Sequence, residues 1–531
     1  MTDQILDIVE ELGEKIREVS IAEFFEKNRH LLGYENPTKS LLTVVKELVD
    51  NSLDACFEAR ILPDIKVQVK PLSKTRFKVK VDDNGPGLPP KKIPIAFGKF
   101  LVGSKFYRLR QSIGTQGIGA KGAILYAQLT TGKPAKIISY YKNEKHVFEL
   151  MIDVLKNEPH ILSHKIEKID KNKHGLSIEI IVEGRYVEGQ QSIPTYLKYI
   201  AIANPYAKIV FDGPNGKVVF ERKTKKLPPL PKEIKPHPYG VELGKLKRML
   251  KMSKAKNLLS FLSSEFSRVS RNTALKICKL AKVDCNKKPN QVSHEEAEKL
   301  HKAMQMVKLL SPPTNCLSPL NEQMLIDSLK NEFPKAEFIT AIIRKPTVYR
   351  GYPFQVQVAL AYGEELGMEK ALLLRFANHT PLLYNMRECA ITKAAQEVNW
   401  RNYGLSQSEG SLPNSPLIIL VDFISVWIPY TSEGKEAIAN YPEIVKEIKL
   451  ALQDAGRKLA TFVRKKKRMK ERILRKQIFE RYIPEVAKSL SKLIKKSESL
   501  IYRSLEKIVK EKLEGWDIGD ENVEIEERRS D

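Results

Sequence analysis

Three short stretches carry residue types that can do chemistry together. The first is Glu47-Leu-Val-Asp-Asn51-Ser-Leu-Asp54, in which Glu47, Asn51 and Asp54 stand at i, i+4 and i+7. On a helix those positions share one face. A carboxylate there can take a proton from water, and a carboxamide oxygen one turn on can ligate a hard cation such as Mg²⁺. The second is Asp83-Asn84-Gly85-Pro86-Gly87, which follows an alternating segment. A carboxylate at a strand end can accept from an exocyclic amino group of a base, and Gly85 and Gly87 let a flat ring approach the backbone. The third is Gly114-Thr115-Gln116-Gly117-Ile118-Gly119-Ala120-Lys121-Gly122. Glycines and a lysine ahead of an apolar helix make a phosphate cradle of bare N–H groups, helix N-terminus and cation. It is neither a Rossmann fingerprint nor a Walker A loop, because the βαβ context and the Gly-Lys-Ser/Thr ending are missing. Taken singly, the three also fit a polar helix face, an ordinary Asx/Gly turn and a flexible loop.

The surrounding pattern supplies elements to hold them. Leu41, Leu42, Val44, Val45, Leu48, Val49 and Leu53 recur at helical spacing after Pro37, and Pro63 ends the run. Segments 65–69 and 77–81 alternate as half-buried strands do, and so do 135–140, 147–152, 176–182 and 208–211. Helices mixed with antiparallel strands predict an α+β sandwich. Residues 1–30 read as two short helices. A Pro-rich break at 227–231 and 236–238 marks a linker, and 239–308 reads as short helices only. Beyond Pro312-Pro313, strands at 354–361, 371–376 and 417–427 alternate with helices in a βαβ-like order. A long helix is predicted from near Pro442, running into the basic residues 464–468, and an acidic tail starts at Trp516. Between 464 and 476 there are nine basic residues and one acid, either a solvated face or a track for DNA phosphates. Trp400-Arg-Asn-Tyr403 is an aromatic–basic cluster in which Trp400 is expected to be packed inside.

Composition narrows the classes. The 531 residues suggest several domains, and 42% apolar with 29% charged residues excludes collagen, disulfide scaffolds and a wholly disordered chain. The most apolar stretch, 417–429, is broken by Asp422 and is shorter than the about 20 residues of a membrane span. The N-terminus lacks the pattern of a signal or transit peptide. Five cysteines without CxxC spacing suit a reducing interior and offer no zinc site. A net charge of +26 points towards a polyanion, nucleic acid first, although heat-adapted surfaces are also lysine-rich.

The order of the three stretches, a Glu…Asn helix, a strand followed by Asp-x-Gly-x-Gly, then a Gly-rich loop before a helix, resembles the GHKL (Bergerat) ATPases. Gyrase, the sensor histidine kinases and the repair protein MutL share that fold, and the resemblance covers roughly residues 28–215. It implies ATP and Mg²⁺ as ligands, with Glu47 as general base, Asn51 as Mg²⁺ ligand and Asp83 as adenine contact. Residues 114–121 would be the lid over the phosphates, with Ser104 and Lys105 beside it. His174-Gly175-Leu176-Ser177 occupies the place of a last Gly-Thr motif. Leu176 departs from that pattern and leaves Ser177 or a water to complete the adenine contact.

Further stretches resemble one branch, the family of the B subunits of DNA topoisomerase VI. They are Ala22-Glu-Phe-Phe25, Pro236-His-Pro-Tyr-Gly240, Ile343-Arg-Lys-Pro346, Leu374-Arg-Phe-Ala-Asn378, the segment 428–436 containing Lys435, and Arg481-Tyr-Ile-Pro-Glu485. That resemblance implies an ATPase domain at 1–232 with an N-terminal strap crossing to a second copy, and a helix-two-turns-helix domain at 233–308. A βαβ-type transducer would follow at 309–475, then a helical C-terminal segment with an acidic tail at 476–531. The helical hairpin would lie at 269–277, with Ser270 where glycine is common. Lys435 would be the transducer's lysine at the γ-phosphate. Implied partners are the DNA-cleaving A subunit of topoisomerase VI, a second copy in an A2B2 heterotetramer and double-stranded DNA, with no membrane. The expected location is cytoplasmic, at the nucleoid, or nuclear in a eukaryote. A MutL-like repair ATPase and a non-hydrolysing scaffold for meiotic DNA breaks are the alternatives. The first lacks a metal-binding nuclease motif here, and the second does not need the Glu47, Asn51, Asp83, Lys121 and Lys435 set.

Overall fold

The helix Pro37–Glu58 organises the first half of the chain. Asn36 caps it, its side chain accepting from the Lys39 amide at 2.9 Å, and Pro37 takes the first position, where no N–H is needed. The apolar periodicity holds, but Ser40, Thr43, Asp50, Ser52 and Asp54 are buried as well. The helix is therefore enclosed on nearly all sides instead of showing a wet polar face. The computed structural model describes Gly13 and residues 18–105, 108–114, 117–169 and 173–511. Thr115, Gln116, the acidic tail and all but Gly13 of the first expected helix lie outside the described residues; the second is Ile21–Lys27.

This helix lies against an eight-stranded sheet, together with Gly119–Thr131 and Ile193–Ala203. The strand order is Glu158–Lys168, Glu144–Asp153, Ala135–Tyr141, Gly175–Glu183, Arg76–Asp83, Asp64–Pro71, Lys208–Gly213, Gly216–Phe220. All neighbours are antiparallel except Asp64–Pro71 with Lys208–Gly213. Alternation sets the register: Val67 faces Val81 and Val69 faces Val79, all turned into the core. The edge strand Glu158–Lys168 is exposed along most of its length and has no alternating signal in the sequence.

Residues 243–306 build a separate helical core from Leu246, Leu258, Phe261, Ile277 and Leu300. Ser270 caps the helix Arg271–Ala281, accepting from the Thr273 amide at 3.2 Å. A glycine there would forgo that bond, which gives the serine a local reason.

A second sheet follows, with Thr347–Tyr349, Tyr352–Tyr362, Leu417–Ser425, Leu372–Ala377 and Thr380–Pro381 in that order, and Phe338–Ile343 also pairing with Tyr352–Tyr362. The βαβ reading applies to one crossover. Leu372–Ala377 runs parallel to Leu417–Ser425, with the helix Ala390–Glu397 between them in sequence. The other pairings are antiparallel. Ile202, Ala203 and Tyr206 share one apolar cluster with Leu325, Leu374, Phe376 and Leu420, which joins the two sheets. Burying each of its Ile, Leu and Phe side chains is worth about 1.5–3 kcal/mol, so this seam is a firm one. Arg344 ties the start of the helix Pro442–Ile494 to the second sheet through Glu447 at 2.8 Å and Asp454 at 2.9 Å.

The chain divides into two compact units. The first holds everything described so far, up to Ala455. The second takes residues 400–406 and those from Gly456 onward. In it Trp400 is fully buried, edge-on to Tyr403 at 6.1 Å, as expected for a packed tryptophan. A β-carbon on Gly456 would lie 2.5 Å from the Tyr403 ring, so glycine permits that contact. Pro442–Ile494 is one helix of 53 residues, continuing past 475 and through Pro484. Most of the basic run 464–476 is exposed on it. Among the described residues, no helix is long and apolar enough to cross a membrane.

Candidate active site

One cavity of about 820 Å³ opens between the helix Pro37–Glu58, the first sheet and the loop before Gly119–Thr131. Glu47, Asn51, Asp83, Gly87, Ser104, Lys105, Gly114, Gly117, Ile118, Gly119, Ala120, Lys121 and Lys435 all line it. Gly85 does not line it; it stands just behind Asp83.

Asp83 is the last residue of its strand. One carboxylate oxygen accepts from the Gly85 amide at 2.9 Å and the Leu176 amide at 3.2 Å. The other accepts from the Ser52 hydroxyl at 2.9 Å. Burial raises its pKa, opposed by those donors. The carboxylate is thus held from behind with lone pairs left for a ligand. Gly87 adopts φ +70°, and a β-carbon there would meet the Tyr140 carbonyl at 2.6 Å. Leu176 and Ile178 line the cavity, while Ser177, one residue out of phase, does not. Ser177 is buried with its hydroxyl unpartnered. The hydroxyl that bonds the Asp83 carboxylate is that of Ser52. Ser52 lies next to Asn51 in sequence but off the 47/51/54 face, so spacing alone did not find it. The apolar walls Leu88, Ile95, Ala96 and Phe97 were missed for a similar reason, since no periodicity marks a loop as a ring-binding surface.

At the other end, Glu47 reaches the N-terminus of Gly119–Thr131. A β-carbon on Gly119 would lie 1.8 Å from Glu47 Oε2, so only glycine admits this approach. The partial positive charge of that helix end favours an anion there. Asn51 donates from Nδ2 to the Glu47 carbonyl at 2.6 Å, which leaves Oδ1 turned towards Gly114. A single neutral oxygen beside a phosphate site fits Mg²⁺, which keeps several waters and takes its remaining ligands from substrate phosphates. No cluster of three acidic, His or Cys side chains suited to a metal occurs among the described residues.

The cations here are engaged by the protein itself. Lys105 pairs with Asp54, and with Glu58 at 3.5 Å. Lys121 donates to the Val102 and Gly117 carbonyls, and burial lowers its pKa to about 8. Gly119, Ala120 and Lys121 sit within the first helical turn, so only the residues before them form the loop. Lys435, left-handed at φ 54°, enters from the second sheet's side and donates to the Ile113 carbonyl at 3.3 Å, 322 residues away in sequence. Lys46 donates to the Gly434 carbonyl at 2.9 Å. Beside it, burial pushes the Asp50 carboxyl up to about 6 against the pull of Lys46, and Tyr196 donates to Asp50. The structure therefore places on this cavity every described residue expected to act in catalysis or to hold nucleotide or metal, except Gly85 and Ser177; Asp54 stands outside its lining as well, and Thr115 and Gln116 lie outside the described residues.

Two family profiles match. One, described as "Histidine kinase-, DNA gyrase B-, and HSP90-like ATPase", covers residues 39–177, and another, "Topoisomerase VI B subunit, transducer", covers 312–475. The chain is similar to proteins named as the B subunit of type 2 DNA topoisomerase 6. That of Archaeoglobus fulgidus is 46% identical, over 93% of this chain and 82% of the relative. That of Methanococcoides burtonii is 42% identical, over 91% and 78%. That of Pyrococcus horikoshii is 39% identical, over 97% and 99%. With this identity along nearly its whole length, and with both an ATPase and a transducer region, the chain belongs to the family of the B subunits of DNA topoisomerase VI, the ATPase subunits of type II topoisomerases.

Proposed function

We propose that this chain binds and hydrolyses ATP to drive a type IIB DNA topoisomerase, gating strand passage and relaxation of double-stranded DNA together with the DNA-cleaving A subunit. Two copies would close on ATP within an A2B2 heterotetramer, in the cytoplasm of a prokaryote or the nucleus of a eukaryote. The working parts would be an ATPase domain (1–232), a helix-two-turns-helix domain (233–308), a transducer (309–475) and a C-terminal helical segment (476–531). The observation that carries the reading is convergence. Glu47, Asn51, Asp83, Gly114, Gly117, Lys121 and Lys435 border one cavity although they come from both ends of a long chain.

In this reading Asp83 accepts from the adenine amino group, and the apolar walls Leu88, Ile95, Leu176 and Ile178 cover the ring. Glu47 takes the proton of the attacking water. Asn51 Oδ1 would hold Mg²⁺, which when bound neutralises charge on the phosphate oxygens. The amides at the start of Gly119–Thr131 and the ammonium groups of Lys121 and Lys435 receive the phosphates. Lys435 would exchange the Ile113 carbonyl for the γ-phosphate, so its contact depends on that group. The basic face at 464–476 would track DNA.

The test is relaxation of supercoiled DNA by the purified chain with ATP, with and without the DNA-cleaving partner. ATP-dependent relaxation only when both are present is expected. Relaxation that is indifferent to ATP, or complete without this chain, would overturn the reading.

A further inference from the structure

The segment leading into the Gly-rich loop is held from the far side of the molecule. Ile234 donates its amide to the Leu109 carbonyl at 3.0 Å, and Ile234 itself packs on the cluster of Cys316, Leu317, Ile424 and Val426. The Gln111 amide donates to the Cys316 carbonyl at 2.9 Å, and Gln111 Oε1 accepts from the Ser318 amide. Asn378 Nδ2 donates to the Ser112 carbonyl at 3.0 Å and the Ser425 carbonyl at 2.9 Å, while its Oδ1 accepts from the Ser425 amide at 2.9 Å. Lys435 takes the Ile113 carbonyl. The next residue, Gly114, already borders the cavity, where its amide faces Asp54 at 3.5 Å. Residues 109, 111, 112 and 113 are thus each bonded to a group at position 234 or later.

Two of these links, Leu109 with Ile234 and the Gln111 amide with Cys316, use backbone on both sides and would survive a change of side chain. The other three depend on the side chains of Gln111, Asn378 and Lys435, and Lys435 already belongs to the cavity. Gln111 and Asn378 are buried carboxamides whose side chains form the clamp. Asn378 and His379 both adopt left-handed backbone, at φ 49° and 65°, which turns the chain sharply between two strands and aims Asn378 at the stem. Asparagine tolerates that conformation. The corner is braced behind: His379 bonds the Asp422 carboxylate through Nδ1 and the Ser318 carbonyl through Nε2 at 2.9 Å. Ser318 is the residue that Gln111 grips.

We propose that Gln111 and Asn378 are positioning residues that fix the stem of the phosphate loop, residues 109–113, to the second sheet, so that Gly114 and Lys435 reach the phosphates as one body. This rests on the ATPase reading of the cavity. Without the clamp the adenine end is untouched, because Asp83 is held by Ser52, Gly85 and Leu176. The phosphate end loses its fixed distance to Lys435, and misplacement by an ångström is enough to slow chemistry by about 10²-fold.

The experiment uses the full chain and compares wild type with Gln111→Leu, Gln111→Glu and Asn378→Gly. Leu fills the space but cannot accept from Ser318. Glu keeps the acceptor. Gly keeps the left-handed turn but loses all three bonds of the Asn378 side chain. ADP affinity is measured by calorimetry, and kcat and KM for ATP by steady-state hydrolysis. We expect ADP affinity to change by less than about threefold in all variants, kcat to fall about 10- to 100-fold in Gln111→Leu and Asn378→Gly, and Gln111→Glu to recover most of it. Wild-type kcat in both loss variants overturns the clamp. So does a loss in Gln111→Glu equal to that in Gln111→Leu, which would mark a packing role. If Gln111→Leu does not fold, Asn378→Gly decides by the same kcat criterion. Failure of the wild type to bind ADP or hydrolyse ATP would instead defeat the ATPase reading itself, and is read separately.

Discussion

The two ends of the cavity are built on different terms. At the adenine end, the Asp83 carboxylate is fixed by three donors from the adjoining strand, turn and helix. Nothing there must let go for a base to bind. At the phosphate end, Lys105, Lys121 and Lys435 are each occupied by a carboxylate or a backbone carbonyl. In the proposed reading these partners are exchanged for phosphate oxygens. An anion as highly charged as a triphosphate can win that exchange against a neutral carbonyl. On the proposed function, the lesson is a division of labour: affinity would reside in the fixed end, and the response to the terminal phosphate in the end that must rearrange.

Breaking the fixed end should have the largest effect on nucleotide affinity. Asp83→Asn replaces an acceptor-only group with one that also donates, into a site already supplying three donors. ATP affinity should fall about 10- to 100-fold, the scale of a hydrogen bond to a charged group, and preference for ATP over GTP should weaken. Calorimetry with both nucleotides checks this; equal ATP binding by variant and wild type removes Asp83 from the role. A smaller effect is expected from the exchangeable end. Lys435→Ala should slow hydrolysis about tenfold, in the range of losing one charge contact to the transition state, with binding retained. Small-angle scattering with a non-hydrolysable analogue and then ADP should show a narrower shape change than in wild type. A full wild-type change would leave Lys435 out of the switch.

The smallest effect on nucleotide chemistry should come from the second unit. Neutralising Lys465, Lys466 and Lys467 together should leave ATP binding alone. It should lower the log–log salt slope of DNA binding by up to about three units, roughly one for each lost phosphate contact. An unchanged slope would assign those lysines to a solvated face.

What the sequence revealed follows the same division. Glu47, Asn51, Asp83 and the glycines are legible because each works within a few residues of a helix face, a strand end or a helix start. Ser52 is invisible because its partner, Asp83, is brought to it by the strand pairing and not by spacing. The strand Glu158–Lys168 escapes because an exposed edge has no alternating pattern to leave. Lys435 could be suspected only through resemblance. Its position depends on the shared core of Ile202, Tyr206, Leu374 and Phe376, which no local pattern records. The clamp of Gln111 and Asn378 was hidden for the same reason, and the length of Pro442–Ile494 because its apolar spacing gives way to charge while the helix goes on.

The central claim is that binding and hydrolysis can be separated along this cavity, and Glu47→Ala tests it most directly. Glu47 touches the phosphate end alone, against Gly119. The measurement is single-turnover ATP hydrolysis beside ADP and ATP affinity on the same preparation. The account predicts affinities close to wild type with hydrolysis reduced by about 10²-fold or more, the usual cost of removing a general base. Hydrolysis at the wild-type rate, or affinity lost in proportion to activity, would contradict it.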